Sequence, residues 1–413
     1  MNSSLPESEV PASTMPGAAT NGSPPEGAAG PAATTVLDPV PTITAAGTAV
    51  ELSTASQGRL VWRAFRRHKL AMIGAAIVIM FYLIALFGEF LAPYNSDAFH
   101  EQYPYAPPQL VHWVDFSGGS PRFGPYVHGY TSQQDAESLQ VSYVVDESVK
   151  IPIRFFDTST ESYRMWGLFE GNVHLIGPVD DSQPMYLLGS DRNGRDVLSR
   201  IIHGTRVSMT IGLVGVAIAF LLGVSLGGVS GFFGGRIDTV LQRLVEFFMS
   251  IPTLPLWLGL AAAVPPNWGP LERYFAITSI LAIFAWTELA RVTRGRFMSL
   301  REEEFVTSAR LDGNRAPRVI FRHLLPLFSS HLIASLTLSV PAMILAETSL
   351  SFLGLGLQQP VVSWGVLLQE AQNVRVVATA PWLMLPGLAV VLAVLALNFV
   401  GDGLRDAADP YKH

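Results

Sequence analysis

An apolar run over residues 70–92 has about the length that crosses a bilayer, and a cluster of basic side chains precedes it. The cluster consists of Arg59, Arg63, Arg66, Arg67 and Lys69. Because basic flanks remain on the cytoplasmic side, the pattern predicts an N-terminal transmembrane helix over residues 58–93 that enters from the cytoplasm. A buried core helix is the alternative, and the apolar length argues against it.

Five further apolar segments follow, and charged breaks separate them, so the sequence predicts six transmembrane helices. The segments cover residues 207–233, 244–264, 275–290, 327–350 and 382–400. We expect the segment 244–264 to be kinked or broken, because Pro252 and Pro255 interrupt it. An even number of crossings places both termini in the cytoplasm.

The composition agrees with a membrane protein. Of the 413 residues, 49% are apolar and only 15% are charged, which is more apolar and less charged than a soluble domain. The net charge of −6 comes without a basic tract, so no nucleic-acid partner is expected. The chain has no cysteine, which excludes disulfides and thiolate metal sites. We expect no cofactor and no bound metal.

The two longest stretches outside the apolar segments are residues 1–57 and 94–186. Residues 1–57 are rich in Pro, Ala, Gly, Ser and Thr and are predicted to form a disordered cytoplasmic tail, without a signal-peptide pattern. Residues 94–186 contain scattered aromatic residues, Gly, Pro and short alternating runs. They predict a loop-rich extracytoplasmic insertion with some strand, which is either a packed surface element or one that contacts a receptor.

The segment that follows, residues 187–205, is polar and precedes the second apolar run. Asp191, Asn193 and Gly194 predict a turn, because these residue types tolerate turn conformations. Residues 197–203 predict a short amphipathic helix at the membrane interface.

A polar, arginine-rich segment over residues 302–326 lies between two apolar runs. Residues 305–311 predict a short helix, and Gly313 with Asn314 predicts a left-handed stop. A second helix is expected to start at Pro317, where a missing N–H costs nothing, and to end at Pro326. An ordinary cytoplasmic loop made basic by the positive-inside rule is the alternative.

Four separated motifs resemble those of the C-type permease subunits of dipeptide and oligopeptide ABC importers. The segment from Leu187 resembles GTDxxGRDxxSRxxxGxRxSL through Gly189, Asp191, Gly194, Arg195, Asp196, Ser199, Arg200, Gly204, Arg206 and Ser208. The polar segment resembles the cytoplasmic EAA loop through Val306, Ala309, Arg310, Gly313, Ile320, His323 and Pro326. Residues 347–356 resemble the motif EAxLSFLGLG, which residues 360–365 continue like the family's PxxSWG, and residues 398–410 resemble NxxGDxLRDxxDP.

This resemblance implies a type I ABC importer permease fold in a bacterial inner membrane, with a core domain over 206–404 and a cytoplasmic tail over 405–413. It implies a second homologous permease in a heterodimer, two cytoplasmic ATPase subunits and an extracytoplasmic peptide-binding protein. The ATPase would dock on the loop 291–326, at Phe305, Val306, Thr307, Ser308, Ala309, Arg310, Gly313, Ile320, His323 and Pro326. Thr307 stands where the family motif has Glu, and Ser308 where it has its first Ala. We expect Phe305, Val306 and Ala309 to form the apolar contact face.

Nothing in the sequence equips the chain as an enzyme, since it has no GxxxxGK[ST], HExxH or GxSxG motif. Glu246, Glu288 and Glu347 are the ionisable residues that could mark a transport path. Glu246 and Glu288 lie near the predicted cytoplasmic helix ends, where water reaches them. Glu347, with Ser349 and Ser351, could line the path, or it could pin a re-entrant turn before a short helix that ends near Gln372.

Three alternatives remain at the level of function. The same architecture could carry nickel or another small solute, because family members share these motifs across substrates. An ATP-independent channel or secondary transporter would not need the docking loop. An intramembrane enzyme would need paired polar catalytic groups at mid-helix depth, which the sequence lacks.

Overall fold

Long apolar helices dominate the computed structural model of this chain, as the sequence pattern predicts. The structure describes residues 57–115, 121–134, 141–158, 162–179, 183–265 and 267–408. Nearly all of the tail predicted over residues 1–57 lies outside these ranges, as do residues 409–413.

Five segments in the described ranges are long and apolar enough to cross a membrane, and a bent helix pair is a sixth candidate. Four of them lie in α2 (Lys69–Leu86), α4 (Val197–Phe233), α7 (Pro270–Leu300) and α10 (Leu325–Phe352), and the fifth covers α13 (Leu385–Ala408) with the 3₁₀ turn before it. The bent pair is α5 (Gly235–Ser250) and α6 (Thr253–Ala262), whose axes differ by 83°. Pro252 lies in the two-residue break, which confirms the predicted interruption.

Shorter elements complete the helical part. They are α1 (Gln57–Arg67), α3 (Gly88–Leu91), α8 (Glu304–Leu311), α9 (Ala316–Arg318), a π-helical segment (Val319–Leu324), α11 (Trp364–Gln369) and α12 (Val374–Thr379), with 3₁₀ turns at Glu370–Gln372 and Pro381–Met384. The predicted short helix that ends near Gln372 corresponds to α11 and its 3₁₀ extension.

The insertion confirms the predicted strand but corrects the prediction of an all-α fold, because it contains more strand than a loop-rich segment. It contains strands β1 (His112–Asp115), β2 (Arg122–Gln134), β3 (Val141–Asp157), β4 (Tyr163–Met165), β5 (Phe169–Gly171) and β6 (His174–Pro178). An antiparallel sheet has the order β1-β2-β3-β6, and β4 and β5 form a separate hairpin. The alternating runs of β3 bury Ile151 and Ile153 beside Val127 and Met185, and this small core supports the sheet.

Helix α4 corrects a second prediction. Residues 197–203 are not a separate interfacial helix but the opening turns of one helix of 37 residues. Asp196 caps this helix, since its carboxylate accepts a hydrogen bond of 2.7 Å from the backbone N–H of Ser199. Gly204 does not interrupt it, because the glycine packs against the backbone of Ser363 and Trp364.

Close contact between helices α4 and α7 forms the centre of the bundle. A Cβ atom on Gly227 would lie 2.4 Å from the carbonyl oxygen of Ala290, and one on Gly231 would lie 2.6 Å from that of Arg294. Only glycine permits this approach, as is typical of helices that pack in lipid. Arg294 also donates to Asp238 at 2.5 and 2.6 Å, which joins α5 to α7.

The β sheet and the polar segment lie at opposite ends of the bundle. Helix α4 starts beside the sheet and ends at Phe233, next to the end of α7 that leads into the polar segment. Helix α7 continues to Leu300, so the loop begins later than the predicted residue 291. The second helix of the loop does not end at Pro326, because Pro326 occupies the first turn of α10, where its missing N–H is tolerated.

Candidate functional site

Helix α8 is fixed to the bundle by one apolar face. Val306 is fully buried and Ala309 is 6% exposed, and both pack in a cluster with Phe297, Val319 and Leu324. This corrects the expectation that Val306 and Ala309 form an outer contact face. Val319 and Leu324 belong to the π-helical segment after α8, and they cover the face of α8 that contains Val306 and Ala309.

The turn after α8 has the predicted conformation. Gly313 adopts φ +77°, which confirms the expected left-handed stop. The carbonyl of Ala309 accepts hydrogen bonds from the backbone N–H of Asn314 at 3.3 Å and from its side-chain amide at 3.0 Å. A Cβ atom on Gly313 would meet no atom within 4 Å, so glycine is favoured here by the positive φ angle and not by crowding.

The outer face of the polar segment remains exposed and mixes apolar and polar groups. Leu311 is 84% exposed, Phe321 57% and Phe305 40%. The Arg310 guanidinium lies 4.4 Å from the centre of the Phe232 ring, which ties α8 to the end of α4. Of the remaining predicted docking residues, Thr307, Ser308 and Pro326 are exposed, His323 is half-buried, and Ile320 is buried.

Glu347 is buried at the opposite end of α10. Its Oε1 accepts hydrogen bonds from Ser351 Oγ at 2.8 Å and from Ser363 Oγ at 2.7 Å. Each serine also accepts a backbone N–H: Leu357 donates to Ser351 at 2.9 Å and Val366 to Ser363 at 3.2 Å. The carboxylate therefore organises both the turn after α10 and the N-terminus of α11.

The other predicted path residues lie apart from this cluster. Ser349 is exposed and its hydroxyl donates to the Leu345 carbonyl within its own helix. Glu288 is exposed, and Glu246 is exposed and paired with Arg243 at 2.8 Å. Of the predicted path residues, the structure thus brings together Glu347 and Ser351. Ser363, in the PxxSWG-like stretch, joins them, although the sequence did not indicate a role for it.

A second buried polar cluster joins the segment before α4 to the end of α11. Asp191 accepts hydrogen bonds from Arg195 Nε at 2.7 Å and from Arg200. Glu370 lies 3.7 Å from Arg195 and 3.8 Å from Arg200. The sequence did not identify Glu370 as part of this cluster, because it lies about 170 residues after Arg200 and outside the family motifs.

Burial changes the ionisation of two acids in this region. Burial raises the pKa of Glu370, and the nearby Asp191 carboxylate adds to the rise. Burial also raises the pKa of Asp196 from 3.8 to about 6, although the hydrogen bonds from Ser199 oppose the rise. Both shifts favour the protonated acids in the folded chain, so they oppose folding once the pH is high enough to ionise these groups.

A cavity of about 840 Å³ lies between the helices and the insertion with strands β1–β6, which we call the β domain. Its lining includes Tyr94, Asp97, His100 and the ion pair between Glu89 and Arg206. Burial opposes the ionisation of Glu89, but the hydrogen bonds from Arg206 and from backbone N–H groups, together with the Arg206 charge, outweigh it and hold the pKa of this carboxyl below its usual range. Within the described residues no group of three or more His, Asp or Glu side chains has the arrangement of a metal site.

Comparison with known families identifies two regions. Residues 219–412 match the model of the binding-protein-dependent transport system inner membrane component. Residues 56–108 match the N-terminal transmembrane domain of oligopeptide transport permease C.

Curated relatives agree with these matches. The chain is 39% identical over 233 residues to a di/tripeptide transport system permease protein of Pseudomonas aeruginosa, covering 56% of this chain and 74% of the relative. It is 29% identical over 353 residues to a dipeptide transport system permease protein of Bacillus subtilis, covering 84% of each chain. Among solved structures, an inward-facing methionine ABC transporter, MetNI, is similar over 50% of this chain and 96% of the other, with 18% identity and a TM-score of 0.39.

Proposed function

This chain belongs to the family of dipeptide and oligopeptide ABC transporter permeases, and on that premise we propose that it forms one half of the peptide path of an ATP-driven importer. A second, homologous permease forms the other half, two ATPase subunits bind on the side of α8, and a peptide-binding protein delivers substrate on the side of the β domain. The chain crosses a bacterial inner membrane six times, the bent pair of α5 and α6 being one crossing, and both termini are cytoplasmic.

The observation that carries this proposal is the division of the polar segment into two faces. Val306 and Ala309 attach α8 to the bundle, whereas Phe305, Leu311 and Phe321 leave an apolar surface uncovered in this chain. An apolar anchor with charged neighbours is the usual composition of an interface centre and rim. We assign this outer face to the ATPase cleft, so Leu311 replaces Val306 and Ala309 as the principal contact.

The helices that follow α8 offer a route from the ATPase to the other side of the membrane. Helix α9, the π-helical segment and α10 run without a break from Ala316 to Phe352. Near the far end of this path, Glu347 holds α11 through Ser363. A displacement of α8 on ATP binding would move α10 and shift the Glu347 cluster with it. Glu347 then acts as a pin for the re-entrant segment rather than as a group that touches peptide.

Substitutions on the outer face test the docking proposal. Leu311→Asp places a charge in the contact without altering the buried face of α8, so it should abolish co-purification of the ATPase subunit and peptide-dependent ATP hydrolysis. Phe123→Asp is the matched control, because Phe123 is an equally exposed apolar residue, at 83%, but lies in the β domain. Retention of the ATPase by a Leu311→Asp, Phe305→Asp double variant would exclude this face.

Substrate uptake by the reconstituted complex distinguishes peptides from other cargo. We expect uptake of labelled di- and oligopeptides that depends on both ATP and the cognate binding protein. Uptake of nickel but not of peptides would assign the alternative solute, and peptide flux without ATP would indicate a channel or secondary transporter.

A further inference from the structure

The hairpin of β4 and β5 has an unusual turn that is attached to the end of the first membrane span. Trp166 and Gly167 have positive φ values of 54° and 71°, and such a value is costly for a bulky side chain. Trp166 Nε1 donates a hydrogen bond of 3.1 Å to the carbonyl of Leu86, the last residue of α2. The Arg206 guanidinium lies 4.4 Å from the centre of the Trp166 ring, on the side of α4.

These contacts fix the depth of the hairpin relative to the membrane. The span Lys69–Leu86 has 18 residues, which corresponds to roughly 27 Å of helix and nearly the full hydrocarbon thickness. Leu86 therefore marks the boundary between hydrocarbon and headgroups. Trp166 lies at this boundary, where tryptophan is enriched in membrane proteins.

The residues beyond the turn are apolar and uncovered. Leu168 is 78% exposed and Phe169 is 69% exposed. At most about 3.6 Å of chain per residue separates them from Trp166, so they lie within about 11 Å of the hydrocarbon boundary. The described part of the chain gives these two side chains no apolar cluster of their own.

The apolar surface of the hairpin continues that of the first span. Leu86 and Phe87 are 44% and 42% exposed at the end of α2. The ring of Phe90 in α3 lies 6.3 Å from that of Phe156, which is exposed at the end of β3. Aromatic groups therefore extend from the end of the first span onto the strands, and tryptophan and tyrosine are typical of such membrane boundaries.

We propose that the β4–β5 hairpin is a membrane anchor that inserts Leu168 and Phe169 into the lipid boundary beside the first span. Lipid fits better than a protein partner, because the outward side of α2 is exposed along its length through Leu70, Ile73, Ile79, Met80 and Leu83. The apolar surface of the hairpin is continuous with this side of α2, so both surfaces would contact the same lipid. The exposed ion pair of Arg164 and Glu170 flanks the turn at 2.6 Å, where headgroups and water would solvate it.

The absence of cysteine makes the depth of the hairpin directly measurable, since one introduced thiol is the only labelling site. Leu168→Cys and Phe169→Cys, each in the full chain, would carry a nitroxide in lipid nanodiscs. Ser142→Cys is the matched control, because Ser142 is exposed near the far end of β3. Electron paramagnetic resonance then compares collisions with oxygen, which partitions into lipid, and with a neutral nickel chelate, which stays in water.

Lipid insertion predicts an oxygen-to-nickel accessibility ratio several-fold higher at positions 168 and 169 than at position 142. Equal ratios at the three positions would mean that the hairpin stands in water and would overturn the anchor. Low accessibility to both reagents at positions 168 and 169 would mean that protein covers the hairpin and would overturn it as well. Neither outcome bears on ATPase docking, which involves the opposite end of the bundle.

Discussion

The carboxylate of Glu347 accepts a hydrogen bond of 2.7 Å from the hydroxyl of Ser363, which lies 16 residues further along the chain. Ser363 caps the N-terminus of α11 and Glu347 belongs to α10, so this contact sets the position of one helix on the other. The same oxygen also receives the hydroxyl of Ser351. One acceptor thus serves two buried donors, and its removal affects both.

Glu347→Leu should destabilise the chain more than any conservative change at this cluster. It leaves two buried hydroxyls without their acceptor, which costs about 2–4 kcal/mol in the free energy of unfolding. Glu347→Gln keeps an oxygen acceptor and should cost less. The midpoint of thermal unfolding in detergent micelles measures both, with Ser349→Ala as a control that changes the free energy by less than about 0.5 kcal/mol. Equal midpoints for wild type and Glu347→Leu would contradict the role of Glu347 as a pin.

Asp196 should make the stability depend on pH in a definite direction. Burial raises its pKa from 3.8 to about 6, so between these values the folded state binds more protons than the unfolded state. The resulting stabilisation, at most about 3 kcal/mol, is fully present below about pH 4 and is lost as the pH rises through about 6.

Asp196→Asn isolates this effect, because it keeps an oxygen acceptor for the N–H of Ser199 but does not titrate. We expect the variant to melt higher than wild type at pH 7.5, with the difference shrinking towards pH 5. Other titrating groups contribute equally to both proteins and cancel in the difference. A difference that is the same at both pH values would show that the folded state does not raise the pKa of Asp196.

Any side chain at Gly313 should lower the stability, although the space around it is open. Its φ of +77° makes Gly313→Ala cost about 1 kcal/mol, and Gly313→Val should cost more and displace α8 from its docking position. Gly295 in α7 is the matched control, since it also has no neighbour within 4 Å but is helical. Gly295→Ala should raise the stability by about 0.5–1 kcal/mol. Thermal unfolding and ATPase co-purification provide the measurements, and effects of the same sign at both glycines would refute the argument.

Thr307→Glu, which restores the acid of the family motif, should leave ATP-driven transport within a few-fold of wild type. Thr307 is exposed, and an exposed ion pair contributes only about 0–1 kcal/mol. Ala309→Asp should abolish transport by a different cause, because it buries a carboxylate among Val306, Val319 and their neighbours and detaches α8.

Limited proteolysis of the loop separates the causes of these two effects. It should show a protected loop in Thr307→Glu and a cleaved loop in Ala309→Asp. A protected loop with normal transport in Ala309→Asp would mean that the inner face of α8 is not needed.

Several local features followed from the sequence because their causes are local. The length of an apolar run determines whether it can span a bilayer, and Pro252 lies at the break between α5 and α6 because it cannot donate a backbone hydrogen bond. Gly313 was predictable for the same reason, since a left-handed residue at a helix end favours glycine through its own backbone. The family motifs identified Asp191 and Glu347 as candidate residues, but they did not predict which side chains these two acids contact.

The tertiary structure decided everything that depends on residues distant in the chain. Val306 and Ala309 face inward because the π-helical segment supplies apolar cover that no helical periodicity in α8 reveals. Glu370 joins Asp191 and Arg200 only because α11 packs beside the start of α4. The insertion became a sheet because β3 pairs with β2 and with β6, and hydrogen bonds between separate strands leave only a weak trace in any one of them. Whether a side chain is buried or paired depends on residues that are distant in the sequence. The role of a charged or apolar side chain is therefore determined only when the tertiary structure brings those residues into contact.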